Sequence, residues 1–244
     1  PDFSPSNTLD VGAGPGTALW AAHALWPAIE DAELIETSAS IRAWGEKLSA
    51  SSGVPRISWR AADLRTELGG KPRDLVTLAY VLDELAPADR DTLVDRLWRL
   101  TGSLLLIVEP GTPKGWQRIL AARTRLIAAG ANIIAPCPHA AACPLTSPDW
   151  CHFSARVARS RIHRLAKNAE VPWEDEKFIY LAASRSPATT RGGRIIAPPE
   201  PASGRVRLKL CNPDGSATHR LVTRREGDAF RRARRSDWGD RFEG

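Results

Sequence analysis

Apolar and polar positions follow two rhythms along this chain. Five short runs, NTLDV (7–11), AELIE (32–36), RISWR (56–60), DLVTLAY (74–80) and SLLLIVE (103–109), have the length and composition of strands. Between them lie segments of helical length, 16–28, 38–51, 87–101 and then 113–130. Strands separated by helical crossovers predict an α/β fold built on a parallel sheet. An irregular bridge follows, GANIIAPCPHAAACPLTSPDW (130–150), and irregular segments of that length in compact domains usually carry function.

Beyond the bridge the spacing of Ala158, Ile162, Leu165 and Ala169 predicts one amphipathic helix over 152–169, with Arg156, His163 and Lys167 on its opposite face. EKFIYLAASR (176–185) reads as a further strand and RGGRIIAPPEPASG (191–204) as a Pro/Gly-rich linker. RVRLKLC (205–211) alternates strictly, meets the turn signal NPDG and returns as THRLVTRR (218–225), which predicts a β-hairpin. The tail DAFRRARRSDWGDRFEG reads as a short basic helix. The division expected is therefore a core over 1–130, a Cys-rich loop, basic helix and further core strand over 131–185, and a basic hairpin and tail over 186–244.

Charge sharpens that division. Residues 1–150 hold 14 Lys and Arg against 17 Asp and Glu, whereas residues 151–244 hold 20 against 11. A basic back half points to a polyanionic partner, and a solvated basic surface is the plain alternative. No apolar run approaches the roughly 18 residues that cross a bilayer, so no membrane partner is expected. The chain opens PDFSPSNT and contains no Met, which suggests a piece of a longer protein.

Candidate chemistry begins at LDVGAGPGTALW (9–20), where Asp10, Gly12, Gly14 and Gly16 give D-x-G-x-G-x-G at the junction of a strand and a helix. Glycines suit a backbone that turns tightly and approaches a ligand, and the helix start offers free N–H groups. The spacing departs from the G-x-G-x-x-G of dinucleotide folds. It resembles motif I of the class I S-adenosylmethionine-dependent methyltransferases. That resemblance implies a Rossmann-like fold with the glycine backbone along the methionine part of the cofactor and Asp10 at its amino group. It also implies Glu36 on the ribose hydroxyls and Asp63 on the adenine amine. The Asn/Asp-Pro-Pro-aromatic element of amino-methylating nucleic-acid enzymes has no match in AYVLDEL (79–85). Asp83 and Glu84 could serve as bases but read first as helix-capping or solvated acids. The Pro136–Cys137 pair resembles the nucleophile of RNA cytosine-C5 methyltransferases but lies beyond the fifth strand, so no catalytic residue is nominated.

Cys137, Cys143, Cys151 and Cys211 give C-x5-C-x7-C-x59-C. Thiolates bind zinc or iron–sulfur clusters. None of the intervals is the close pair common in zinc ribbons, which puts iron–sulfur ahead of zinc; four unrelated small hydrophobes are the bland alternative. His139 and His152 are rival ligands.

Taken together, LDVGAGPGTALWAA, EPGTPKGW, CPHAAACPL, DWCHFSARVARSRIHRLAKNA and EDEKFIYL resemble the methyltransferase-like family associated with the small ribosomal subunit of bacteria and mitochondria, over nearly the whole chain. The resemblance implies an assembly factor that binds small-subunit ribosomal RNA in the bacterial cytoplasm or the mitochondrial matrix, and a monomer is expected. It implies a four-iron, four-sulfur cluster on the four cysteines. It leaves open an inactive S-adenosylmethionine-binding fold or an active ribosomal RNA methyltransferase. Arg156, Arg159, Arg164, Lys167, Arg205, Arg207 and Lys209 would then meet phosphates, positioning the protein rather than reading sequence.

Overall fold

The computed structural model describes residues 3–66, 68–168, 170–187 and 192–244. The chain divides into two compact units. The first comprises Pro1–Glu109, Arg118–Pro136 and Tyr180–Thr190, and the second Pro110–Gln117, Cys137–Ile179 and Arg191–Gly244.

The elements of the front half run β1 (Asn7–Val11), α1 (Thr17–Leu25), β2 (Asp31–Ile35), α2 (Ala39–Ser49), β3 (Arg56–Arg60), β4 (Arg73–Ala79), α3 (Pro87–Leu100), β5 (Thr101–Pro110), α4 (Pro113–Ala128) and β6 (Asn132–Ala135). They are followed by β7 (Phe153–Ala158), α5 (Arg161–Ala166) and β8 (Trp173–Ser184). The sheet order is β3-β2-β1-β4-β5-β8-β6, with β7 also paired to β8. Pairs among the first five strands are parallel, and β6 and β7 each run antiparallel to β8. This is the class I S-adenosylmethionine methyltransferase arrangement expected from the sequence.

Parallel strands at the centre of such a sheet are covered on both faces. That suits the apolar residues Leu9 and Val11 of β1 and Leu75, Val76 and Leu78 of β4, and it also buries Thr8, Asp10 and Thr77 among them. Leu75, Val76 and Leu78 are fully buried and Leu9 nearly so. Helix α3 starts with Pro87 in its first turn, where the missing N–H is harmless. It buries Leu93, Val94, Leu97 and Trp98 along one face.

The second unit contains a five-stranded sheet in the order β10-β11-β9-β13, with β12 paired to β11. Its strands are β9 (Gly193–Ile195), β10 (Glu200–Ala202), β11 (Arg205–Cys211), β12 (Ala217–Thr223) and β13 (Arg241–Phe242), and α6 spans Asp228–Arg235 between the last two. One face of β11 presents Val206, Leu208 and Leu210 to a core shared with Ile195, Val222, Phe230, Ala233 and Phe242. By the pleat, Arg205, Arg207, Lys209 and Cys211 occupy the other face. The expected hairpin is therefore part of a larger sheet, and the expected linker over 191–204 supplies β9 and β10.

The expected helix over 152–169 is replaced by strand β7 and the short helix α5. Residues 153–158 pair with 173–178, and Phe153 is buried. Ser160 is extended and its Oγ accepts the His163 N–H at 3.1 Å, so the helix starts there. Ile162 and Leu165, assigned to a buried stripe, are 79% and 73% exposed. Ala169, the fourth member of that stripe, lies outside the described residues.

Candidate functional site

The turn after β1 folds onto the end of β2. The N–H groups of Gly12 and Ala13 donate to the Ile35 carbonyl at 2.9 and 3.0 Å, and the Gly14 N–H donates to Glu36 Oε2 at 3.0 Å. Gly12 has φ +68°, and an added Cβ would stand 2.4 Å from Val81 Cγ2, so no larger residue fits without displacement. Gly14 has open space where its Cβ would be.

Asp10 sits between Leu34 and Thr77 in the sheet register and is 1% exposed. Its Oδ1 accepts the Thr77 hydroxyl at 2.6 Å, while its Oδ2 has no hydrogen-bond partner. Burial, opposed by the Thr77 bond, pushes its pKa up to about 6. A cavity of about 420 Å³ opens here, lined by Asp10, Gly12, Gly14, Thr77, Tyr80 and Leu106 among others. An unsatisfied buried carboxylate oxygen beside a bare glycine backbone suits a ligand that carries an ammonium group.

Gly16, Glu36 and Asp63 are not among the lining residues. Gly16 caps α1 with φ 97°. Glu36 spends both oxygens on backbone, Oε1 accepting from Ser38 N at 2.8 Å. Asp63 is gripped by its neighbour Arg65, Nη2 to Oδ2 at 2.8 Å and Nε to Oδ1 at 3.0 Å, which lowers its pKa to about 2.

Beyond β4 the chain is clamped from below. Glu109, fully buried, accepts the Leu82 N–H at 3.1 Å and the Arg118 Nε–H at 2.6 Å. Arg118 also reaches Asp83 at 2.6 Å, and Arg90 Nε donates to the Leu82 carbonyl at 2.7 Å. Burial raises the Glu109 pKa and the Arg118 guanidinium opposes that rise. Asp83 is thus held in an ion pair. Tyr80, at the head of this segment, has a φ of 61°, which side chains rarely adopt. Residue-by-residue reading passed over Tyr80, Glu109 and Arg118, although Glu109 and Arg118 lie in and beside EPGTPKGW.

All four cysteines belong to the second unit. Cys151 and Cys211 are buried and Cys137 and Cys143 partly so. The Cys151 thiol is pushed well above its ordinary range, first by burial and then by charge on Cys137, Cys143 and Cys211. Three thiols, two from the same loop and one from a distant strand, therefore lie within electrostatic reach of Cys151. His139 is buried with Nε2 3.3 Å from Cys211 Sγ. Lys209, on the same strand face as Cys211, pairs with Asp149 of the loop. His152 instead stacks on Trp150 at 5.0 Å and meets the edge of Trp238 at 4.8 Å. Among the described residues no group of three or more His, Cys, Asp or Glu side chains is arranged to hold a metal ion as the side chains stand.

The basic residues chosen from sequence are largely neutralised. Arg156 makes a two-bond pair with Asp175 at 2.7 and 2.9 Å. Arg159 and Lys167 share Glu174, each at 3.0 Å. Arg207 pairs with Glu200 at 3.4 Å. Arg205 is exposed on β11, and Arg164 lines a small surface pocket with Arg161, Leu165, Asn168 and Glu170. No helix among the described residues is long and apolar enough to cross a membrane.

A family model described as mitochondrial small ribosomal subunit Rsm22 matches residues 1–243. The human mitochondrial ribosome assembly protein METTL17 is 33% identical over 261 residues, which cover 98% of this chain and 56% of that protein. Rsm22-cox11 tandem protein 2, mitochondrial, of Schizosaccharomyces pombe is 26% identical over 285 residues, covering 96% of this chain and 38% of that one. The chain thus spans about half the length, or less, of these curated relatives. Among solved structures, magnesium protoporphyrin IX methyltransferase from Synechocystis with bound SAH is 12% identical with a TM-score of 0.49, covering 76% of each chain. The N-methyltransferase NodS from Bradyrhizobium japonicum is 16% identical with a TM-score of 0.49, covering 76% of this chain and 88% of that one.

Proposed function

Because this chain belongs to the mitochondrial small ribosomal subunit Rsm22 family, we propose that it is part of a small-ribosomal-subunit assembly factor that binds ribosomal RNA. In this reading its four cysteines hold a four-iron, four-sulfur cluster, and its glycine loop holds S-adenosylmethionine. The observation that carries the cluster is that Cys151, buried in the loop, feels charge on Cys137, Cys143 and Cys211, the last of them at the end of β11. Bound as thiolates to iron, they would cross-link the 137–151 loop to the sheet. His139 is placed to donate a hydrogen bond to the Cys211 sulfur. Relatives described as mitochondrial support the mitochondrial matrix as the place of action.

Asp10 supports the cofactor assignment, since it lines the cavity with Gly12 and Gly14 and has one buried oxygen without a hydrogen-bond partner. Here the chain's own residues bind and orient: a carboxylate for an ammonium, and a bare backbone for the chain that follows it. Glu36 and Asp63 would have to release Gly14 or Arg65, or accept further bonds, to serve the nucleoside.

Anaerobic purification followed by iron and sulfide analysis tests the cluster. Brown protein with iron and labile sulfide, both lost in Cys211→Ser, supports it; stoichiometric zinc without sulfide overturns it. A second reading, an active ribosomal RNA methyltransferase, is favoured by the open cavity at Asp10. Transfer of a labelled methyl group to immature small-subunit RNA would establish it. No transfer by protein shown to bind the cofactor would leave assembly without catalysis.

A further inference from the structure

We infer that the surface gripping RNA phosphates is the arginine ridge formed by the turn Arg224–Glu226 and helix α6, rather than the cations of β7, α5 and β11. This rests on the reading that the protein binds ribosomal RNA, and it moves the binding surface to a different part of the chain.

The first ground is the state of the competing cations. Arg156, Arg159, Lys167, Arg207 and Lys209 each stand against a carboxylate of their own unit. A phosphate arriving there would have to displace that carboxylate and lie beside its charge. Such sites add little to affinity.

The ridge differs in this respect. Phe230 and Ala233 plug α6 into the core of the small sheet, 8% and 1% exposed. That anchorage leaves Arg231, Arg232, Arg234 and Arg235 on the exposed side. Among the described residues, no carboxylate forms an ion pair with Arg224, Arg225, Arg234 or Arg235. The two acids beside the turn, Glu226 and Asp228, are already used. Glu226 closes a capping box with Thr223 and pairs with Arg220 at 2.6 Å, and Asp228 pairs with Arg231.

Helix stability accounts for only part of this pattern. Cations in the last turn of a helix favour its dipole, which explains Arg234 and Arg235. Arg224 and Arg225 precede the N-terminus of α6, where the same dipole disfavours them. Their placement therefore calls for a counter-charge from outside. Guanidinium groups bind phosphate oxygens in two-bond geometry. A helix of this length is about 12 Å long, enough to meet several phosphates along one strand. A protein partner would want an apolar centre, and the small sheet and α6 expose one large hydrophobic residue among those described, Leu221.

The test compares two full-chain variants for binding to small-subunit ribosomal RNA across a salt series. Arg224→Gln, Arg225→Gln, Arg234→Gln and Arg235→Gln together should weaken binding. The plot of log affinity against log salt should become shallower by about 0.7 to 0.9 for each phosphate that the variant no longer neutralises. Arg156→Gln, Arg159→Gln and Lys167→Gln together should leave affinity and slope close to the parent's. Arg224→Gln with Arg225→Gln, outside the helix, should reproduce about half of the slope change. Unchanged affinity and slope in the fourfold variant overturn the inference while RNA binding stands, as does a loss of affinity at constant slope. A parent that binds no RNA removes the reading on which it rests.

Discussion

Asp10 holds its proton at a pH where an exposed aspartate has lost it. Its native pKa is about 6 against an ordinary 3.8, because burial outweighs the Thr77 bond. A raised native pKa means that stability is intact below about pH 4 and declines as the pH rises to 6, where the native carboxyl must ionise in a dry place. The loss is on the order of 3 kcal/mol. Asp10→Asn keeps an oxygen for the Thr77 hydroxyl and removes the ionisation. Its urea midpoint should match the parent's near pH 4 and exceed it increasingly up to pH 6, with a plateau above. A constant difference across that range would sink the assignment. Asp10 and the glycines were legible in the sequence because motif spacing is local. The engagement of Asp63 by Arg65 is equally local, two residues apart, yet motif reading attends to what a residue could bind rather than to its neighbour.

At the scale of elements, the central strands announce themselves by short apolar stretches such as Leu75–Val76 and Leu104–Val108, which two covered faces favour. Strand β7 does not, since Ser154, Ala155, Arg156 and Val157 suit a strand or a helix equally. What decides between them is pairing with residues 173–178, and no periodicity encodes a partner about 20 residues away. The same blindness concealed the acids that neutralise Arg156 and Arg159, which become neighbours only once Arg156 lies opposite Asp175. Since α5 buries nothing, Ile162→Ser with Leu165→Ser should change stability by no more than about 0.5 kcal/mol per site. Leu97→Ala in α3, fully buried, should cost about 2 to 5 kcal/mol. Chemical denaturation compares them directly, and a comparable cost for the two serines would restore the single buried helix.

For the molecule as a whole, two units with different means of support follow from composition. The first rests on a broad apolar core, whereas the cysteine loop of the second has few apolar side chains of its own. On the proposed cluster reading, a chelator that removes its iron, or Cys211→Ser, should cost amide-exchange protection in residues 137–151 and leave β1 and β4 unchanged. Equal loss in β1 and β4 would show that the proposed cluster supports both units alike. The alternation along β11 carries a further consequence. Val206, Leu208 and Leu210 point one way and Cys211 the other, so a slip of one residue would turn the sulfur inward and the aliphatic side chains outward in one step. Deleting a single residue upstream within β11 should thus disrupt the small core and the proposed ligation by Cys211 together, a coupling that leaves this strand little freedom to drift in length.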